Sequence, residues 1–124
     1  MSNEVAYQFQ LLLNNGTLKD QYSSGSASAT QLTPLLIRNV MTILAAPNPH
    51  TALDKGSVTT PGYAVFQNLD TVNFISIGID VTGSFHSFLK LKPGEQGMCR
   101  LGTTAPYALA DTLPVSLFYI IYSD

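Results

Sequence analysis

Between Gly62 and Tyr122 the chain places short β-branched and aromatic runs between turn residues, again and again. "GYAVFQN", "NFISIGIDV", "SFHSFLKLK", "QGMCRLG" and "PVSLFYIIY" are separated by "LDTV", "TG", "PGE" and "TTAPYALADTL". Strands at this regular spacing, with turn signals between them, indicate a sandwich or barrel. No long segment repeats apolar residues at i, i+3, i+4 and i+7 behind a cap, so helices are not expected to organise the fold.

The first half follows a looser version of the same grammar. In "VAYQFQLLL", Val5, Tyr7, Phe9, Leu11 and Leu13 share one parity while Gln8 and Gln10 lie on the other, which predicts a half-buried strand. "NNG" at Asn14–Gly16 is a hairpin signal, and "LKDQY" returns as a short strand. "SSGSASATQL" reads as a weak strand of small side chains or as a flexible linker, the strand being favoured. "LLIRNVMTIL" is ambiguous between strand and one short helix; its β-branched content and the alternation of Leu36, Arg38, Val40 and Thr42 favour strand. "AAPNPH" is a loop, because Pro47 and Pro49 remove two backbone donors. The expectation is an all-β protein: one antiparallel β-sandwich domain over residues 1–124, jelly-roll-like, with about eight strands.

Composition narrows the function. Of the 124 residues only 11% are charged, against roughly 25% in an average soluble domain. Ser, Thr, Asn, Gln and Gly take the place of the missing charge. A polar but uncharged exterior suits a surface covered by neighbours, since free monomers usually keep charged surfaces, and this reading is favoured over the alternative, a strand's preference for Thr and Val over Lys and Glu. Six Lys and Arg, spread along a chain of net charge −2, form no basic stripe, so nucleic acid is not an expected partner. "MSNEVAYQFQ" lacks the basic and apolar regions of a signal peptide, and "LPVSLFYIIY" is too short to span a bilayer, so no membrane association is expected. The single Cys99 allows no intrachain disulfide.

One stretch, "SFHSFLKLKPGEQGMCRLG", holds His86, Glu95 and Cys99, the ingredients of a thiol nucleophile. If Pro93 and Gly94 are the centre of a β-turn joining two paired strands, Leu91 faces Gln96, Leu89 faces Met98, Phe88 faces Cys99 and His86 faces Leu101. Cys99 and His86 are then diagonal neighbours with Cβ atoms roughly 7–8 Å apart. A nucleophile and its base need heavy atoms at about 2.6–3.2 Å. Glu95 lies on the order of 20 Å from His86 along the ladder. Cys99 therefore reads as a small core residue packed on Phe88, and His86 as a sheet-edge or solvent-facing residue.

Other chemistry has less support. His50 sits in a proline loop and His86 in a strand, with no short ligand spacing between them, and no cofactor or metal is expected. Asp54, Asp70 and Asp80 include a conceivable carboxylate pair, but Asp70 in "NLDTVN" and Asp80 beside the next turn read as turn residues. Tyr7, Tyr22, Tyr63, Tyr107, Tyr119 and Tyr122 form no recognisable platform for stacking on sugars. A catalytic role, and hence a small-molecule substrate, is not expected.

Residues 60–124 carry a resemblance. Asn68–Asp70, the strand Asn73–Gly78, the turn Leu91–Glu95, the segment Tyr107–Ala110 and the final aromatic strand Val115–Tyr122 together resemble small accessory virion proteins of tailed bacteriophages. The resemblance implies a β-sandwich on the phage particle with a structural role. Because phage particles assemble inside the host, it also implies assembly in the bacterial cytoplasm without a signal peptide.

The expected function is a capsid decoration or cement protein that binds the major capsid protein lattice and its own copies, a trimer being favoured. The alternative is a tail or fibre module recognising a host glycan. The expected contact regions are the segment Met1–Val5 and the loops Ala45–Ser57 and Thr103–Asp111, with Asn3, Val5, Pro47, Pro49, His50, Leu53, Thr104, Pro106 and Tyr107 as the candidate residues. Loops carry binding more often than sheet faces, and prolines reduce the ordering cost.

Overall fold

Side-chain alternation decides the structure of the longest strands. In Leu36–Ile43 the side chains of Ile37, Asn39, Met41 and Ile43 turn inward, while Leu36, Arg38, Val40 and Thr42 stay exposed. "LLIRNVMTIL" is therefore a strand. The computed structural model describes residues 4–124 and contains no helix among them. Its strands are β1 (Val5–Tyr7), β2 (Gln10–Asn15), β3 (Leu18–Ser23), β4 (Ala27–Ala29), β5 (Leu36–Ile43), β6 (Thr51–Ala52), β7 (Pro61–Asn68), β8 (Ile75–Val81), β9 (Ser84–Leu91), β10 (Gln96–Arg100), β11 (Pro106–Ala110) and β12 (Val115–Ser123). The chain divides into two compact units, Met1–Thr33 and Pro34–Asp124.

The second unit is a β-sandwich of two four-stranded antiparallel sheets. One has the order β10-β7-β12-β5 and the other β6-β11-β8-β9. Their inner faces share one core, in which Ile43, Phe66, Ile75, Ile77, Val115, Leu117, Tyr119 and Ile121 are fully buried. Each such side chain contributes about 1.5–3 kcal/mol of burial free energy. The core includes a polar anchor at Tyr119. The Tyr119 hydroxyl donates to the Asp54 carbonyl at 2.7 Å and accepts from Asn39 Nδ2 at 3.2 Å. Burial raises the pKa of this phenol, so it stays a donor.

The corner between the sheets overturns one expectation. β9 pairs with β8 and β10 pairs with β7, so the Lys92–Glu95 turn links two sheets and does not close a hairpin. Pro93 and Gly94 do make the turn: Gly94 has φ +78°, and the Glu95 N–H donates to the Lys92 carbonyl at 3.0 Å. The turn is tied to β7, where the Gly94 N–H donates to the Asn68 carbonyl and the Asn68 N–H to the Glu95 carbonyl. Asn68, wholly buried, donates through Nδ2 to the carbonyls of Asn73 (2.9 Å) and Leu91 (3.1 Å) and accepts from the Asp70 N–H (2.8 Å). The Asn-Leu-Asp segment is thus a bracket that holds the β7–β8 loop against the corner.

The opposite end of β8 carries a different device. The β8–β9 ladder slips between Ile77 and Gly78, leaving Phe88 without a direct partner. At this bulge β9 crosses close over β8. A Cβ on Gly78 would stand 2.0 Å from the His86 carbonyl oxygen, so only glycine fits. The hairpin turn beyond it is Thr82–Gly83, both at positive φ (49° and 90°). Such turns favour Asn-Gly, and a β-branched residue there is strained.

"TTAPYALADTL" was expected to be a connection, but it contains β11, which lies between β8 and β6 in the second sheet. Pro106 occupies the first position of this strand, where the missing N–H is tolerated.

The first unit contains two small pairings, β1 with β4 and β2 with β3. The β2–β3 ladder closes through a two-residue loop in which Gly16 has φ +59°, the left-handed conformation that hairpin loops require. At the hairpin's base the Phe9 N–H donates to Ser24 Oγ and the Ser24 N–H to the Phe9 carbonyl, both at 2.9 Å. The single half-buried strand expected over "VAYQFQLLL" is interrupted at Gln8–Phe9, and every residue of β2 and β3 is exposed. The weak strand expected in "SSGSASATQL" is β4.

Candidate functional site

Two of the loops singled out in the sequence meet in space. β6 lies within Ala45–Ser57 and β11 within Thr103–Asp111, and these strands pair, with Tyr107 opposite Ala52 and Ala108 opposite Thr51. The seam continues where the Leu53 N–H donates to the Pro106 carbonyl at 3.0 Å and Lys55 Nζ donates to the Thr104 carbonyl.

Register fixes which side chains face outward here. Ala108 and Ala110 point into the core, so Tyr107 lies on the outer face, opposite Gly78 of β8. Asp80 shares that face two residues along, opposite Phe85 of β9. His50, just before β6, joins them: its Nε2 lies 2.6 Å from Asp80 Oδ1. Its ring centroid is 5.4 Å from that of Phe85 and 5.1 Å from that of Tyr107, the latter edge-on. The His50 side chain keeps only 14% of its surface exposed. One imidazole–carboxylate contact flanked by two rings therefore ties together all four strands of the second sheet.

Each candidate has a definite place. His50 and Tyr107 are brought together in the ring cluster. Pro47, Pro49 and Thr104 are exposed beside the seam. Leu53, 4% exposed, and the fully buried Pro106 point into the core; they support the seam from beneath and offer a partner no surface. Pro106 and Tyr107 belong to a strand, not to the loop expected. Val5 is half-buried in β1, opposite Ala29, in the first unit. Asn3 lies outside the described residues.

Asp80 and Phe85 are the members that sequence reasoning missed. The sequence places Asp80 beside a turn and marks it as a turn residue. Its parity was visible, because Ile75, Ile77 and Ile79 alternate with Ser76, Gly78 and Asp80. Its partner, thirty residues earlier in the chain, was not.

The thiol cluster is dispersed. Cys99 lies on β10, opposite Ala64 of β7, and packs half-buried against the core; burial raises its pKa, which disfavours the thiolate. His86 is exposed on β9, an edge strand of the other sheet. Glu95 Oε1 accepts the Lys92 N–H at 2.7 Å within the corner turn. Cys99 and Phe88 do line one shallow cleft, with Ile79, Arg100, Gly102 and Thr103, at the open side between β9 and β10. Among the described residues, no three His, Cys, Asp or Glu side chains converge as metal ligands would.

Asp70 serves structure. Its carboxylate accepts the N–H groups of Asn73 (2.5 Å) and Val72 (3.0 Å), and these bonds, that from Asn73 first, hold its pKa below the ordinary carboxylate value. Comparison with protein-family models, curated proteins and solved structures found no match for this chain.

Proposed function

We propose that this chain is a structural protein of a bacteriophage particle, a decoration or cement protein that binds the major capsid lattice. The strand order is the observation that carries the reading. Lettered B to I from β5 to β12, the two sheets read B-I-D-G and C-H-E-F, which supports reading the second unit as an eight-stranded jelly roll. That architecture is common among viral capsid and lectin domains. Strand order alone does not fix function. The low charged fraction, the resemblance over residues 60–124 and the hydrogen-bonded loop seam all support the same choice.

In this reading the seam is the contact surface. Exposed Pro47, Pro49 and Thr104 meet the capsid, and the His50–Asp80 contact holds the loops in place before binding, which lowers the ordering cost. Stabilisation of the shell comes from added interface, about 800 Å² per partner for a stable contact. The protein is then made in the host cytoplasm and ends on the virion.

The test is co-sedimentation with phage heads lacking the protein, followed by a heat challenge. Saturable binding with raised particle survival is expected, and Pro49→Glu combined with Thr104→Glu should weaken binding at least about tenfold. Wild-type protein that leaves heads unbound and unprotected would remove the reading. A second reading rests on the His50, Phe85 and Tyr107 rings, which suit stacking against a host glycan on a tail-associated module. In that case Tyr107→Ala abolishes sugar binding by the isolated protein, and particles lacking the protein stay intact but fail to adsorb.

A further inference from the structure

The β2–β3 hairpin is amphipathic, and the side chains of its apolar face are exposed. The register places Leu11 opposite Tyr22, Leu13 opposite Asp20, and Asn15 opposite Leu18 on one face. Phe9 continues that face, its ring centroid 5.8 Å from that of Tyr22. The other face carries Gln10, Leu12, Asn14, Lys19, Gln21 and Ser23. Phe9, Leu11, Leu13, Leu18 and Tyr22 are between 44% and 69% exposed. Together they present on the order of 500 Å² of mostly apolar surface, near the upper end for a largest patch on a monomer.

We propose that this face is the interface between two copies of the chain. Three observations choose that occupant. First, Asp20 is the only charged residue on the face. That composition fits the permanent, apolar interfaces of homodimers better than the more polar surfaces of transient complexes. Second, two such faces opposed bury on the order of 1,000 Å² in total, which reaches the lower limit for a specific interface. Third, a lone two-stranded hairpin is marginal in water. Two hairpins stacked face to face, about 10 Å apart as packed sheets are, make a four-stranded sandwich with a core of its own. Asp20 lies on an outer strand, at the rim of that sandwich, where its carboxylate keeps water. A flat ribbon with one apolar face is covered by one opposing ribbon, so the symmetry is two-fold rather than the three-fold expected from the sequence. This interface does not depend on the capsid reading.

The test is sedimentation velocity of the full chain from about 1 to 100 μM. Wild type should run as a dimer, and Leu11→Thr combined with Leu13→Thr, which keeps β-propensity, should weaken association by at least about 100-fold. Leu12→Thr, on the polar face, should leave the dimer intact. Circular dichroism and the thermal transition of the double variant, unchanged from wild type, show that the sandwich survives the substitutions. A wild-type monomer throughout this range overturns the proposal, and places the cover of this face within the chain itself or on another protein. A double variant that remains dimeric, or a Leu12→Thr variant that dissociates as readily as the double one, overturns it as well.

Discussion

The hairpins β2–β3 and β8–β9 use the same local grammar. Each is antiparallel, each closes through a two-residue loop containing a positive-φ glycine, and each sorts apolar side chains onto one face. They differ in what lies against that face. Ile75, Ile77 and Leu91 are buried because a second sheet covers them, whereas Leu11, Leu13 and Tyr22 are exposed. Alternation therefore specifies a face, and burial is specified by whatever packs on it. No described residue of the first unit is buried, while the second unit holds a continuous core.

Matched substitutions break this comparison most sharply at glycine. Gly78→Ala should cost about 4 kcal/mol, because the new methyl meets the β9 backbone and cannot be accommodated without undoing the bulge. Gly16→Ala meets nothing within 4 Å and should cost about 1 kcal/mol from its left-handed backbone alone. Urea unfolding measures both, and equal costs would mean that β8 and β9 do not approach as described. Next in size, Ile77→Ala should cost about 3 kcal/mol through loss of burial and the cavity left behind. Leu12→Ala, at a position 70% exposed, should stay within about 0.5 kcal/mol. A large Leu12 effect in the same unfolding experiment would show that the polar face of the first hairpin is also covered.

The smallest effect is present at neutral pH and lost in acid. The folded-state pKa of Asp70 is depressed, so its contribution to stability is fully present above the ordinary carboxylate pKa and disappears as pH falls through that value and then through the folded one. Unfolding midpoints of wild type and Asp70→Asn measured between pH 2 and 7 should differ most at neutral pH and converge at the acid end. Curves that remain parallel would show that the carboxylate's charge plays no part in the bracket. The first unit has no comparable loop bracket among its described residues, and the effect should appear only in the transition of the sandwich.

These contrasts also explain what could be read in advance. The strands β5, β7, β8 and β12 were legible because their alternation is long and their residues β-branched or aromatic. β11 was hidden by its proline and alanines, which signal a loop locally but fit a narrow gap between β8 and β6. Pro93-Gly94 announced a turn and could not announce that its two arms join different sheets, because that depends on Asn68 and the partner strands. Parity placed Leu11 and Leu13 on one face correctly, yet nothing nearby in the chain told whether that face would be covered. His50 and Tyr107 are candidates on the sequence as members of contact loops; what brings them together is a carboxylate and a ring from other strands of the same sheet, a long-range arrangement with no local signal.

The pairing of β5 with β12 has a consequence in time. Leu36 lies opposite Tyr122 and Ile43 opposite Val115, so the earliest strand of the sandwich bonds to the latest. During synthesis β5 leaves the ribosome long before its partner exists, and the first sheet cannot close until the nine residues of β12 have emerged. Such distant pairing slows folding toward the millisecond-to-second range. For that interval Val40 and Leu36 stand on an unpaired strand edge, and growing chains on one messenger are at risk of joining one another. Chains truncated anywhere before Val115 should accumulate in aggregates, since β5 then never gains its partner.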